Sequence, residues 1–204
     1  MFHGLWEVAL PLLLYDFIVK LAAMAFGSRM DAAALTTVAA LAALLPLGAL
    51  YRKDQKTRGE EKPAVPWWIY PLMAAAGIGL NYLFSDVMEH FAVTEHFSNA
   101  AQEGLLAGGR LVQLVGLGFL VPVTEEVVFR GLLYRRMKKY LPTGAALVMA
   151  AAIFALYHGN MVQILYAFPM GLVILLAYEK YPSLAVPVVF HMAANLGTVL
   201  PNIL

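Results

Sequence analysis

Two adjacent acidic residues and an arginine interrupt an otherwise apolar run in the second half of the chain. This stretch, Thr-Glu-Glu-Val-Val-Phe-Arg-Gly, contains Glu125, Glu126 and Arg130. An ionised carboxylate at membrane depth is costly unless it is paired, hydrated or protonated. On a helix, residues at i and i+4 share one face, and an acid followed by a base is the favourable order. We therefore expect Arg130 to pair with Glu126, which leaves Glu125 free to handle a proton.

The composition is that of a membrane protein. Of the 204 residues, 61% are hydrophobic and only 13% are charged, whereas soluble domains usually carry about 25% charged residues. The formal net charge of +1 argues against a nucleic-acid partner, which would require a basic patch or stripe. The chain has no cysteine, so disulfides, thiolate metal sites and a cysteine nucleophile are excluded.

The apolar residues fall into seven segments, most of them long enough to span a bilayer as helices. We predict an all-α fold, a polytopic transmembrane bundle of about seven helices that forms a single membrane domain over residues 1–204. Residues 1–104 would supply accessory transmembrane helices and a loop, and residues 105–204 the catalytic core helices, the last four. The predicted segments are residues 5–26, 32–51, 66–91, 105–140, 143–158, 161–178 and 183–204.

Charged residues outside the central stretch predict the topology and one further ion pair. Basic loops at residues 52–62 and 135–139 indicate the cytoplasmic side, which gives a multi-pass protein of the cell membrane with a cytoplasmic N-terminus. Asp16 and Lys20, at i and i+4 in the first segment, are expected to form a structural pair that faces neighbouring helices. Pro122, inside the fourth segment, is expected to kink the helix and to free a backbone carbonyl.

Two other core segments each carry a polar pair at helical spacing. Phe154 and His158 are four residues apart, as are His191 and Asn195, so each pair occupies one helix face. Because buried polar groups need partners, we expect these faces and that of Glu125 to line one cavity. A desolvated glutamate is a general base for water, a histidine can hold that water or protonate a leaving amine, and an imidazole with an amide can stabilise an oxyanion. Together they are the parts of a peptide hydrolase that uses activated water.

Three other interpretations of these residues remain open. A His-His-Glu set is a common zinc shell, although HExxH is absent and Asn195 is a poor zinc ligand. The polar pairs could also only hold helices together, as interhelical polar contacts often do in membranes. Finally, the protein could be a non-enzymatic scaffold or a proton-coupled carrier that uses Glu125 as a relay. A carrier would more typically show inverted repeats, and the sequence has no evident repeat.

The ordered set of three motifs resembles the CAAX prenyl protease and bacteriocin-processing family of intramembrane proteases, also called the abortive-infection family. Its EExxxR, FxxxH and HxxxN motifs match Glu125-Glu126-x-x-x-Arg130, Phe154-x-x-x-His158 and His191-x-x-x-Asn195. The resemblance covers roughly the second half of the chain.

The resemblance implies a glutamate-dependent membrane endopeptidase. Because HExxH and cysteine are absent and Asn195 stands where a third strong ligand would lie, we expect it to need no metal, and we expect no other cofactor. Its catalytic residues would be Glu125 and His158, which activate water, and His191 with Asn195, which form the oxyanion site. Glu126, Arg130 and Phe154 would support that site. The implied partners are membrane lipids and a peptide or prenylated-protein substrate, and the family also includes bacterial enzymes tied to peptide maturation and bacteriocin immunity.

Overall fold

The computed structural model describes residues 2–59 and 64–204, and within those ranges the chain is helical, with no β-strand. These residues form nine helices. They are α1 (Phe2–Phe26), α2 (Ala32–Arg58), α3 (Ile69–His90), α4 (Val93–His96), α5 (Ala100–Leu106), α6 (Arg110–Met137), α7 (Thr143–Tyr157), α8 (Met161–Lys180) and α9 (Ala185–Ile203).

Five of the described helices, α1, α2, α6, α8 and α9, are long and apolar enough to cross a membrane. Helix α3 has 22 residues but is more polar towards its end, where Asp86 and Glu89 lie. Helix α7 has only 15 residues, or about 22 Å against a hydrocarbon core of about 30 Å. The predicted all-α membrane bundle is therefore confirmed. The segment predicted over residues 105–140 begins later than expected, because α5 is separate from α6.

The basic sequences gather at one end of the bundle, here called the basic end. Arg136 donates from Nε and Nη2 to the two carboxylate oxygens of Asp54, at 2.8 and 3.2 Å, and from Nη1 to the carbonyl oxygen of Glu7, at 2.7 Å. Lys138 pairs with Glu179 at 2.7 Å. The end of α6 thus meets the ends of α2 and α8 and the start of α1. Both predicted basic loops lie on this side, although residues 60–62 of the first lie outside the described residues.

Helix α6 is not wound uniformly. Residues Gln113–Leu120 and Val127–Tyr134 are π-helical, and they flank an α-helical turn at Val121–Glu126. Wider turns of this kind are rare and occur frequently at functional sites. The two central glutamates close the α-helical turn, directly before the second π-helical stretch.

Pro122 leaves one carbonyl of α6 without a backbone donor. The Val121 N–H bonds to the carbonyl of Gly116, five residues back. In the same register the carbonyl of Leu117 would bond to residue 122, but proline has no N–H. The Asn195 side-chain amide of α9 donates to this carbonyl instead, at 2.8 Å. The carbonyl that Pro122 is expected to free therefore has a donor from a different helix.

Glycines allow two pairs of helices to approach closely. A Cβ atom at Gly77 of α3 would lie 2.3 Å from the carbonyl oxygen of Phe190 in α9, and one at Gly116 of α6 would lie 1.9 Å from Oγ1 of Thr37 in α2. Side chains larger than hydrogen are incompatible with these separations. The close contact with α3 fixes the position of the α9 segment that carries the site histidine.

The predicted pair in α1 forms, but on a different surface from the one expected. Lys20 Nζ lies 2.7 Å from Asp16 Oδ2, and the side chains are 72% and 38% exposed. The expectation that the pair faces neighbouring helices is therefore wrong. The buried face of α1 is occupied by residues such as Tyr15 and Ala22, and Asp16 is rotated about 100° from Tyr15.

Candidate active site

Glu126 and Arg130 form a fully buried ion pair within α6. The separation between Arg130 Nη1 and Glu126 Oε1 is 3.0 Å, and the two side chains are 1% and 0% exposed. The i,i+4 spacing predicted this pair. The same Glu126 oxygen also accepts a hydrogen bond from His191 Nδ1 at 2.7 Å. Glu126 therefore connects α6 to α9, and its negative charge is neutralised by Arg130 of its own helix.

Arg130 is held by charge and by an aromatic face more than by directed hydrogen bonds. Its guanidinium carbon lies 4.1 Å from the ring centroid of Phe154. No atom of the described residues meets hydrogen-bond geometry with Nε, Nη1 or Nη2, although Nη1 is close to Glu126. A cation over a desolvated aromatic ring is stabilised by the ring quadrupole. The phenylalanine of the second motif thus supports the arginine of the first.

His191 lies between the two glutamates. Its Nδ1 faces Glu126, and its Nε2 lies 3.7 Å from Glu125 Oε2. Because a carboxylate paired with Arg130 can only accept, Nδ1 carries the proton of the first contact. The second contact is too long for a direct hydrogen bond, but one water molecule can reach both atoms. The Glu125 side chain is 14% exposed, whereas the Glu126 side chain is completely buried.

His158 packs on the same aromatic ring as Arg130 and His191. The ring centroids of Phe154 and His158 are 5.0 Å apart, and those of Phe154 and His191 are 5.9 Å apart, both edge to face. His158 Nδ1 donates to the carbonyl oxygen of Phe154 at 2.9 Å. That hydrogen bond places the Nδ1 proton and leaves Nε2 as an acceptor. The three motifs thus meet around Phe154, which is 3% exposed.

The predicted site residues are not all in direct contact. Glu125 approaches His191, whereas the hydrogen bond of His158 is made to Phe154. Asn195 lies one turn after His191 on α9, and its amide binds the Leu117 carbonyl. An amide nitrogen carries two hydrogens, so Asn195 retains one donor beyond this bond.

Two tyrosines beside Glu125 were not predicted. The rings of Tyr15 and Tyr157 stack with centroids 5.4 Å apart, and the charge of Glu125 acts on both phenol groups. Tyr157 directly precedes His158, so it lay within a stretch already singled out. Tyr15 belongs to α1, among the helices predicted to be accessory. No local pattern marks it, because only the packing of α1 onto α6 brings it to the site.

The spacing of the acidic and histidine side chains bears on metal binding. Within residues 2–59 and 64–204, no three His, Asp or Glu side chains are grouped so that they could hold one metal ion. The cluster consists instead of two carboxylates, one guanidinium and an imidazole between the acids.

The fold and this cluster define a helical membrane protein with carboxylates and imidazoles gathered inside the bundle, the composition of a hydrolase site. Residues 107–197 match the family model for Rce1-like proteins, described as type II CAAX prenyl endopeptidase Rce1-like. The matched residues include all three motifs. This part of the chain, a little under half of it, is thus similar to the CAAX membrane proteases, and the match supports the family that the motifs indicated. No curated protein and no solved structure matches the chain.

Proposed function

We propose that the protein is an integral-membrane endopeptidase that hydrolyses peptide bonds with water activated by Glu125. The observation that carries this proposal is the arrangement of Glu126, His191 and Glu125. A buried, neutralised acid orients one imidazole, and the other nitrogen of that imidazole faces a second, accessible acid. An ion pair that only joined helices would not require the second acid.

In the proposed reaction, Glu125 accepts one proton from a water molecule as the water oxygen bonds to the peptide carbonyl carbon. The carbonyl electron pair moves to oxygen and forms an oxyanion. Collapse of this intermediate breaks the C–N bond, and the proton held by Glu125 passes to the leaving nitrogen. The products are an amine and a carboxylic acid, which then loses its remaining proton to solvent, and no covalent bond to the protein is formed. General-base catalysis of this kind contributes about 10²–10⁴-fold.

Histidine and asparagine side chains would complete this reaction. His191 Nε2 lies close enough to Glu125 to accept a hydrogen bond from the same water, and it would donate to the oxyanion once the ring has taken up a second proton; Glu126 holds the ring in that orientation. The remaining donor hydrogen of Asn195 would serve the same oxyanion. His158 would assist water activation through Nε2, since Nδ1 is committed to the Phe154 carbonyl. Catalytic hydrogen bonds often shorten only when substrate is bound.

The substrate class follows from the family and from the depth of the site. Glu125 precedes Arg136 by eleven residues, so it lies at most roughly 16 Å from the basic end at the α-helical rise of about 1.5 Å per residue, because the π-helical residues Val127–Tyr134 rise less. A peptide must therefore enter the membrane to be cut. We propose a lipid-anchored or membrane-embedded peptide, and the similarity to CAAX prenyl endopeptidases suggests a prenylated one.

Peptide cleavage by the purified full chain tests this proposal. Farnesylated peptides and the same peptides without the lipid are incubated with wild-type protein and with Glu125→Gln, and the products are identified by mass spectrometry. We expect cleavage by the wild type, faster for the lipidated peptides, and a loss of about 10²–10⁴-fold in Glu125→Gln with an unchanged melting temperature.

A matched control and a chelator complete the test. Glu103→Gln makes the same chemical change at an exposed acid outside the cluster, and it should retain full activity. Activity should also survive metal chelation. Full activity in Glu125→Gln would contradict the proposal, and activity lost to a chelator and restored by zinc would replace it with a metal mechanism.

A further inference from the structure

The Asp16–Lys20 pair occupies an unusual depth for exposed charge. Glu7 binds Lys139 and Tyr140 at the basic end. Asp16 follows Glu7 by nine residues, so it lies about 14 Å further along α1. That position is near the middle of a hydrocarbon core of about 30 Å. Exposed charges there are costly unless water reaches them.

The exposed pair sits at the edge of the lipid-facing surface of α1. Leu13, Phe17 and Leu21 are 48%, 61% and 52% exposed, and they form an apolar face. Asp16 lies between that face and the buried face that carries Tyr15. Charge is therefore confined to one flank of an otherwise apolar helix.

This flank leads towards the site acid. The charges of Asp16 and Glu125 both act on the phenol group of Tyr157, and Tyr157 stacks on Tyr15 at 5.4 Å. Tyr157 is thus near both the half-exposed Asp16 carboxylate of α1 and the Glu125 carboxylate of α6, and its stacking partner Tyr15 is near Glu125. Helix α1 is also lightly packed, with 17% of its apolar span buried, compared with 56% for α6.

We propose that the α1 flank bearing Asp16 and Lys20 borders a water-filled crevice between α1 and α7, which reaches Glu125 past the Tyr15–Tyr157 stack. The crevice hydrates the exposed pair and delivers the water that hydrolysis consumes. Its existence is independent of the reaction, whereas its role as a water supply rests on the proposed function.

Accessibility of single cysteines tests the crevice, and the chain has no native cysteine to interfere. The full chain is placed in nanodiscs with cysteine at Asp16, at Lys20 or at Ala23. Ala23 is exposed and seven residues after Asp16, so it shares that flank while the ion pair stays intact. Phe17→Cys and Leu21→Cys are controls on the apolar face. Each variant reacts with a charged methanethiosulfonate reagent and with an apolar maleimide.

We expect the charged reagent to label the three flank positions on the order of tenfold faster than the two controls, because the thiolate is the reactive form and needs water. Replacing Asp16 and Lys20 with leucine in the Ala23→Cys protein should abolish this advantage. Equal labelling of flank and control positions by the charged reagent would contradict the crevice. The pair would then be covered by lipid or by a second copy of the chain. If the charged reagent labels the flank positions but the protein cleaves no peptide, the crevice is supported and the proposed function is contradicted.

Discussion

Asn195 has two roles that a pair of substitutions can separate. Asn195→Ala removes the donor to the Leu117 carbonyl, and a buried acceptor without a partner costs about 1–3 kcal/mol. Pro122→Ala restores a backbone N–H that can reach the same carbonyl. We expect the double variant to regain the melting temperature lost in Asn195→Ala but not the peptidase activity. Pro122→Ala alone is the control. If activity returned together with stability, Asn195 would have only a structural role.

Arg130 should be essential for stability as well as for activity. Arg130→Ala leaves Glu126 charged and buried without its ion-pair partner, a change that typically costs about 3–5 kcal/mol. We expect a clear fall in the thermal unfolding temperature in detergent and loss of activity. Arg110→Ala, at an exposed position at the start of α6, provides the comparison and should change neither. An Arg130→Ala protein of normal stability would contradict this account of the buried pair.

The residue-level predictions succeeded where they depended on spacing along one helix. Glu126 and Arg130 are four residues apart and therefore share one helix face, and the same spacing pairs Asp16 with Lys20. Contacts between helices could not be obtained in this way. The hydrogen bond from His191 to Glu126 joins residues 65 positions apart, and no local pattern gives the orientation of one helix relative to another.

At the level of elements, α3 approaches the backbone of α9 closely at Gly77. A methyl group at Gly77 would lie 2.3 Å from the Phe190 carbonyl oxygen, which is backbone and cannot move aside alone. We expect Gly77→Ala to cost about 1–3 kcal/mol of stability and to lower activity, because His191 directly follows Phe190. Both are measured by thermal unfolding and peptide cleavage.

The matched control lies on the same helix. A Cβ atom at Gly79 meets nothing within 4 Å, so Gly79→Ala should be neutral or stabilising by up to about 1 kcal/mol. Equal effects of the two substitutions would show that helix propensity, rather than the contact with α9, determines the result.

Helix winding is the feature of the elements that the sequence did not reveal. The i,i+4 argument assumes α-helical turns, whereas α6 is π-helical on both sides of Val121–Glu126. Pro122 indicated a local disturbance and a free carbonyl, but not the extent of the wider turns. The winding depends on packing against α2 and α9, which the sequence of α6 does not contain.

For the whole molecule, the basic end predicts the orientation in the membrane. Ion pairs bring the end of α6 to the ends of α2 and α8, and lysine and arginine favour the cytoplasmic side. We expect cysteines introduced at Lys56 and Lys138 to be labelled by a membrane-impermeant reagent only in opened cells. Labelling of both positions in intact cells would reverse the topology.

The division at residue 104 into accessory and core parts stays a prediction, and Tyr15 shows α1 in contact with the site region.

The short helix α7 has a consequence for the lipids around the protein. Its residues Val148, Met149 and Leu156 are exposed, so α7 faces the bilayer, yet it covers about 22 Å of a core about 30 Å thick. A helix shorter than the core is accommodated by bilayer thinning, by snorkelling of flanking residues or by oligomerisation, at fractions of a kcal/mol per Å. We expect thinning beside α7, and with it an enrichment of short-chain lipids along that side. We therefore expect the stability and activity of the protein to depend on bilayer thickness, because the short helix α7 ends beside His158.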